Sequence, residues 1–267
     1  MPDTTYSHGH DDGVLRSHRW RTAGNSAAYL LPRLVPGNDL LDVGCGPGTI
    51  TCDLARRVSP GRVVGIDAAA TVVAEARRYA DAEGQGGVVF EVADLFALPY
   101  ADDTFDVVHA HQVLQHVADP VAALVEMRRV CRPGGVVAAR DSVYRAFTFG
   151  PDEPDLTRAL AAYVELTRVN RADCDAGRRL LGWAHAAGFD EVDASASVWC
   201  FSTDEERAWW GGLWADRFTD SSMAAQLLEH GIADRADLHA FADGWRRWAE
   251  SADGWFAVLH GEILATA

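Results

Sequence analysis

Through its first half the chain alternates short apolar runs, each stopping near a glycine or an aspartate, with longer amphipathic stretches. The runs at 39–43, 62–66, 88–92, 105–109 and 136–139 have the length and β-branched content of buried strands. Between them, 50–58, 71–83 and 121–129 carry alanine, leucine and charged residues at helical spacing. The run 26–34 reads as the end of a helix, broken by Pro36 and Gly37. Pro60-Gly61, Gly84 to Gly87 and Arg132-Pro133-Gly134-Gly135 supply the remaining turns. Strand and helix in this alternation predict an α/β fold, a parallel sheet with helices on both faces, because each right-handed crossover returns the chain across the sheet. The carboxyl ends of the strands then share one crevice.

The second half has a different texture. Eight of the nine tryptophans lie from Trp183 onward. The pattern predicts helix over 161–187, strands at 192–201 and 255–265, and helices at 204–214 and 222–248. The division that follows is an amino-terminal arm (1–25), a sheet domain (26–203 with 254–267) and a helical insertion before the last strand (204–253). The arm and the insertion are expected to close over the crevice together.

Composition narrows the function classes. A chain of 267 residues, 48% apolar, is long enough for one sizeable core with an accessory cap. Its 24 Lys and Arg against 39 Asp and Glu leave a net charge of -15, a field that repels phosphate backbones and argues against a nucleic acid partner. Cys45, Cys52, Cys131, Cys174 and Cys200 have neither zinc-site spacing nor the density of a disulfide scaffold. No export leader or membrane-spanning run is signalled, so the expected compartment is the cytoplasm. Apolar stretches near the carboxyl terminus leave room for a homodimer.

The strongest chemical signal is Leu41-Asp42-Val43-Gly44-Cys45-Gly46-Pro47-Gly48-Thr49, placed between a strand and a helix. Gly44 permits a tight turn and Gly46 a close backbone approach to a ligand. Asp67 ends the second strand, where a carboxylate can accept from both ribose hydroxyls. Asp94 and Leu95 follow the third, within reach of an adenine. Thr49 stands where a dinucleotide fingerprint has glycine or alanine, and the Gly-Lys-Ser/Thr ending of a phosphate loop is absent. A ligand with adenosine but no pyrophosphate fits these residues.

Together with Gly65-Ile66-Asp67, residues 93–99, Phe105 to Val108, His111-Gln112-Val113-Leu114-Gln115-His116 and 128–135, the loop makes the chain resemble the class I S-adenosylmethionine-dependent methyltransferases. Within them it is most similar to the ubiquinone/menaquinone-biosynthesis-like branch that acts on small molecules. The resemblance implies a three-layer Rossmann-like sheet of seven strands, six parallel and one antiparallel. It also implies S-adenosylmethionine as cofactor and S-adenosylhomocysteine as product. Gly44, Cys45 and Gly46 would then run beside the methionine part, Asp67 and Ala68 meet the ribose side, Asp94 and Leu95 bracket adenine, and Ala110 and His111 face the sulfonium.

Methyl transfer from a sulfonium is an in-line displacement that needs an aligned acceptor and, for acidic acceptors, a place for a proton. No metal is called for. His111 is the candidate base, with Asp141 and Tyr144 beyond the fifth strand as further catalytic candidates. In the arm, Tyr6 and Arg21 are candidates to close on the methionine carboxylate, since guanidinium bonds a carboxylate bidentately. Trp199, Trp209, Trp210, Trp214, Trp245 and Trp248 either wall an acceptor pocket or form the core of the helical part. The transferase reading stands beside two others: different sulfonium chemistry on the same fold, and a regulatory protein that binds the cofactor without turnover.

Overall fold

The computed structural model describes residues 20–267. The expectations for Tyr6 and for the rest of the arm up to residue 19 lie outside the described residues. In chain order the elements are α1 (Ala23–Ser26), β1 (Leu40–Val43), α2 (Thr49–Val58), β2 (Val63–Asp67), α3 (Ala70–Ala82), β3 (Val89–Val92), β4 (Phe105–His111), α4 (Pro120–Val130), β5 (Cys131–Ser142), β6 (Thr148–Gly150), α5 (Pro154–Val169), α6 (Leu180–Ala186), β7 (Val192–Phe201), α7 (Asp204–Thr219), α8 (Ser222–Glu229), α9 (Arg235–Glu250) and β8 (Trp255–Thr266).

The described residues divide into two compact units. A sheet unit holds 20–141, Ala176–Ser197 and His260–Ala267, and a helical unit holds Ser142–Asp175 and Val198–Leu259. In the sheet unit the strand order is β3-β2-β1-β4-β5-β8, with β7 also paired to β8. The pairs β1–β2, β1–β4, β2–β3 and β4–β5 are parallel. Ala267 N donates to Gly135 O at the start of β5, and Arg140 near its end meets Glu262, so β8 runs antiparallel to β5. Thr266 N donates to Glu191 O while Ser195 bonds Glu262, so β8 is antiparallel to β7 as well. Six parallel strands and one reversed strand are therefore present.

Both faces of this sheet are covered. On one, Leu41, Val43, Val64, Val108, Ala110, Val137, Ala139 and Ile263 pack with Leu124 and Met127 of α4 and with Leu180 and Ala184 of α6. On the other, Leu40, Val63, Val107, Val136 and Ala138 pack with Leu54 and Val58 of α2 and with Ala27 and Leu30. Each strand alternates between the two cores, as period-two patterning requires.

The second face also carries charge. Arg140 is 1% exposed, and its Nε lies 3.1 Å from Glu262 Oε1 and 3.1 Å from Ser197 Oγ. Ser195 Oγ donates to the other Glu262 oxygen at 2.8 Å. Burial lowers the Arg140 guanidinium to about 10, against the raising influence of Glu262, so it stays charged at neutral pH.

The helical unit is built on aromatics. Trp214 stacks on Trp245 at 5.3 Å, Trp210 on Phe201 at 4.3 Å, and Tyr144 packs on Tyr163 at 4.6 Å. Trp248 Nε1 donates to Gly150 O at 3.1 Å, and β6 pairs antiparallel with the first residues of β8.

Several boundaries differ from the sequence reading, each for a local reason. Where the end of a helix is expected over 26–34, α1 already stops at Ser26, capped reciprocally by Thr22 and Asn25, and 26–34 holds only a 3-10 turn at Leu31–Arg33 around Pro32. The helix expected over 161–187 is two, α5 and α6, because Arg171 adopts a left-handed conformation (φ 59°) and Asp173 bonds Asp175 N. The stretch 222–248 divides at Gly231 (φ 64°), and Asp234 with Asp237 caps the new start. Strand β5 is longer than 136–139, and β6 is a short strand beyond the expected seven.

Removing one partner of a buried ion pair strands the other charge, at a cost of about 3–5 kcal/mol. Glu262→Ala is therefore expected to destabilise the chain by that order in urea unfolding, and Glu262→Leu combined with Arg140→Met to recover most of the loss. Equal stability of Glu262→Ala and the native chain would show that the pair does not anchor β8.

Candidate functional site

The carboxyl ends of β1, β2 and β4 meet where the turn at 44–48 leaves β1. Asp42 lies opposite His109 and Val43 opposite Ala110, so Gly44 emerges beside His111. Gly44 has φ 65°, and a Cβ there would stand 2.4 Å from Val113 Cγ2, so the segment after β4 can pack this closely only on glycine. Gly48 (φ 84°) starts α2, and a Cβ on it would meet Phe90 at 2.9 Å. The turn is thereby held against the floor of the sheet.

Asp67 is oriented by backbone. Gly46 N donates to its Oδ2 at 3.3 Å and Ala69 N to its Oδ1 at 3.0 Å, while Cys45 N donates to Ile66 O at 2.9 Å. A carboxylate oxygen has two lone pairs and can accept from more than one donor. Ala68 beside it is exposed. Burial, with the negative charges of Asp42 and Asp67, pushes the Cys45 thiol well up, so it keeps its proton. Past β3, Asp94 is exposed and its Oδ1 accepts from Phe96 N at 2.9 Å, while Leu95 is buried. Ala110 is fully buried in β4.

A second group of side chains surrounds the end of β4. Arg21 Nη2 donates to Gln112 Oε1 at 2.7 Å, and Gln112 Nε2 lies 2.9 Å from His260 Nε2. The rings of His111 and His260 stack with centroids 6.3 Å apart. Gln115 N donates to Asp141 Oδ1 at 3.3 Å, and the Gln115 side chain lies 3.0 Å from His116 Nε2. Asp141 thus holds the turn Leu114–His116 and is itself fully buried.

These imidazoles are electrically quiet. Burial pushes His111 well below its ordinary range, and Arg21 and Arg140 push the same way. Burial also brings His116 down to about 3, with Arg21 adding to the shift; its Nδ1 is shut off from solvent although the residue keeps partial exposure. Both rings are neutral at pH 7. His109, deeper in the strand, is fully buried; its Nδ1 lies 2.7 Å from Asp42 Oδ1, and Thr51 Oγ1 bonds the other Asp42 oxygen at 2.5 Å.

The structure gathers Gly44, Cys45, Gly46, Asp67, Ala68, Ala110, His111, Asp141 and Arg21 within the sheet unit. Tyr144 falls in the helical unit, half-buried against Phe147 at 4.3 Å and Tyr163, with its N donating to Cys174 O at 3.1 Å. Trp210, Trp214, Trp245 and Trp248 are likewise core of that unit, each at most 6% exposed. Gln112 and His260 are additions that sequence reasoning passed over. Gln112 lay inside the quoted motif but without titratable chemistry, and His260 was hidden in an apolar run. The signal for His260 is a polar residue within an otherwise apolar strand, and for Gln112 a polar residue directly after the end of β4. Among the described residues no cluster of His, Cys, Asp or Glu could hold a metal ion, and no helix is long and apolar enough to cross a membrane.

The chain is similar over most of its length to known methyltransferases. A family model described as a methyltransferase domain matches residues 34–194. The uncharacterized methyltransferase C1B3.06c of Schizosaccharomyces pombe is 34% identical over 97% of this chain and 95% of its own. The probable methyltransferase ltbC of Aspergillus luteorubrus is 33% identical over 97% and 96%. Among solved structures, the 4+2 cyclase SpnF superposes with a TM-score of 0.53 at 26% identity, covering 95% of this chain and 85% of that one.

A histidine that is neutral when folded but titrates near 6.5 when unfolded stabilises the fold fully above pH 6.5, and the contribution is lost as pH falls from there toward the folded value. Each such residue adds a slope of about 1.4 kcal/mol per pH unit below 6.5. Denaturant unfolding between pH 7 and 4.5 should therefore show His116→Gln losing less stability on acidification than the native chain. Parallel stability curves for the two would contradict the neutral, shielded state of His116.

Proposed function

Because the chain belongs to the class I S-adenosylmethionine-dependent methyltransferases and transfers a methyl group from that donor to an organic acceptor, we propose that donor and acceptor meet at the turn 44–48 and His111. Asp67 takes the ribose hydroxyls, with Ala68 beside it, and Asp94 and Leu95 bracket the adenine. The backbone of Gly44, Cys45 and Gly46 follows the methionine part, and Arg21, joined in the arm by Tyr6, serves its carboxylate. The donor set fits such a group: a carboxylate pre-aligned by two backbone amides, beside glycines that keep the approach open. The acceptor is a small molecule of the kind handled by the ubiquinone/menaquinone-like branch.

When bound, S-adenosylmethionine supplies a methyl group on a positively charged sulfur. The observation that carries the reading is Asp67, held at the end of β2 by the Gly46 and Ala69 amides beside the glycine turn; burial keeps the nearby His111 imidazole neutral. His111 also offers a lone pair. An acceptor atom becomes strongly acidic as it gains a methyl group, so even a weak base can take its proton. Asp141 acts on the same side by fixing the Gln115 backbone and with it the turn that follows His111. Burial around these groups keeps competing water from the sulfonium.

Two measurements test this. Asp67→Ala should weaken S-adenosylhomocysteine binding by about 1.5–3 kcal/mol, the cost of losing charge-assisted hydrogen bonds, with Asp67→Asn milder; unchanged calorimetric affinity in a folded Asp67→Ala chain would remove the ribose assignment. Incubation of the native chain with trideuteromethyl-labelled donor and a metabolite extract should yield S-adenosylhomocysteine and a labelled small molecule. His111→Asn should slow that labelling by about a hundredfold or more with little change in S-adenosylhomocysteine affinity. Label found only on protein or nucleic acid would overturn the small-molecule reading.

A further inference from the structure

Gln112 combines two features that belong to different kinds of residue. Its backbone sits at φ 53°, a left-handed conformation that side-chain-bearing residues seldom adopt and that persists where the surroundings impose it. Its N–H donates to Arg140 O at 2.7 Å, which fixes it at the end of β4 immediately after His111. Its side chain nevertheless does what glycine could not, bridging Arg21 and His260.

The direction of that bridge follows from chemistry. A guanidinium has donors only, so the amide atom 2.7 Å from Arg21 is the Gln112 carbonyl oxygen. The opposite atom is then the NH2 group, also a donor only, and it faces His260 Nε2 at 2.9 Å. Such a contact is a hydrogen bond only if His260 Nε2 carries a lone pair, which puts the ring proton on Nδ1. The fixed charge of Arg21 thus dictates, through one amide, the tautomer of a histidine that is fully buried. That lone pair is committed to Gln112. Of the two stacked imidazoles, His260 is removed as a proton acceptor on this nitrogen.

We propose that Gln112 is a positioning residue of the methyl transfer, locking His260 as the Nδ1–H tautomer so that His111 alone of the stacked pair receives the acceptor's proton. The proposal rests on the reading of His111 given above. It predicts that the amide, and not the backbone strain, is what the site needs from position 112.

The test uses the full chain labelled with 15N-histidine and bound to S-adenosylhomocysteine, with His260 assigned by its loss in His260→Gln. Long-range proton–nitrogen correlation should show His260 Nε2 bare and Nδ1 protonated. Gln112→Gly keeps the left-handed backbone and so should fold, yet without the amide donor His260 should shift toward the Nε2–H form. Gln112→Glu should keep the Arg21 contact but draw a proton onto Nε2, giving an imidazolium. Both variants should form the labelled extract product at least tenfold more slowly at saturating donor. A protonated, neutral Nε2 in the native chain, or a tautomer unmoved by Gln112→Gly, would overturn the lock. A reversed tautomer with native labelling rate would overturn its role in the reaction. The tautomer is read without any acceptor, so it decides the lock even if the extract yields no product, an outcome that would count against the His111 reading instead.

Discussion

A guanidinium cannot be left alone inside a sheet, and the pairing of Arg140 with Glu262 is the constraint around which the other parts of the sheet unit are arranged. The pair joins β5 to the reversed strand β8, and Ser195 and Ser197 extend it into β7. Main-chain hydrogen bonds alone tolerate a slip of two residues along a strand, because the same face stays inward. A buried charge with one partner does not. Since Arg140 lies opposite His111 in the register of β4 and β5, the same lock that sets β8 also determines which β8 side chain stands beside His111.

From that register the electrostatics follow. Arg140 and Arg21 supply permanent positive charge near the end of β4, and neutral imidazoles rather than imidazolium ions surround them. The negative groups are placed where hydrogen-bond donors already await them: Asp67 on two backbone amides, Asp141 on Gln115 N, Asp42 on Thr51 and His109. A net charge of -15 over the chain therefore says little about this corner, where the local balance is set residue by residue.

The strands β1 to β5 and helices α2 to α4 were legible because their apolar period is unambiguous and each ends at a residue with a structural reason to stop, as at Gly44 and Asp67. The glycine turn and Asp67, proposed to meet the donor, were legible for the same cause: what a tight turn and a strand-end carboxylate require is local in sequence. The residues proposed for the acceptor side were not. Gln112 carries no charge and its φ cannot be read from its neighbours, while His260 depends on a strand that arrives from far along the chain. The helix expected over 161–187 failed at Arg171 and Asp173, where local side-chain bonding outweighs helical spacing. Tyr144 follows Asp141 closely in sequence, and the boundary between the two units falls between them.

The uneven distribution of tryptophan gives the two units different optical voices. Seven of the nine indoles belong to the helical unit, several of them in ring contact and within energy-transfer range, while the sheet unit has only Trp20 and Trp183. Intrinsic emission therefore reports chiefly on the melting of the aromatic unit, and circular dichroism on the chain as a whole. A fluorescence midpoint taken alone measures one half of this molecule, and only coincidence of the two signals would license treating its unfolding as a single transition.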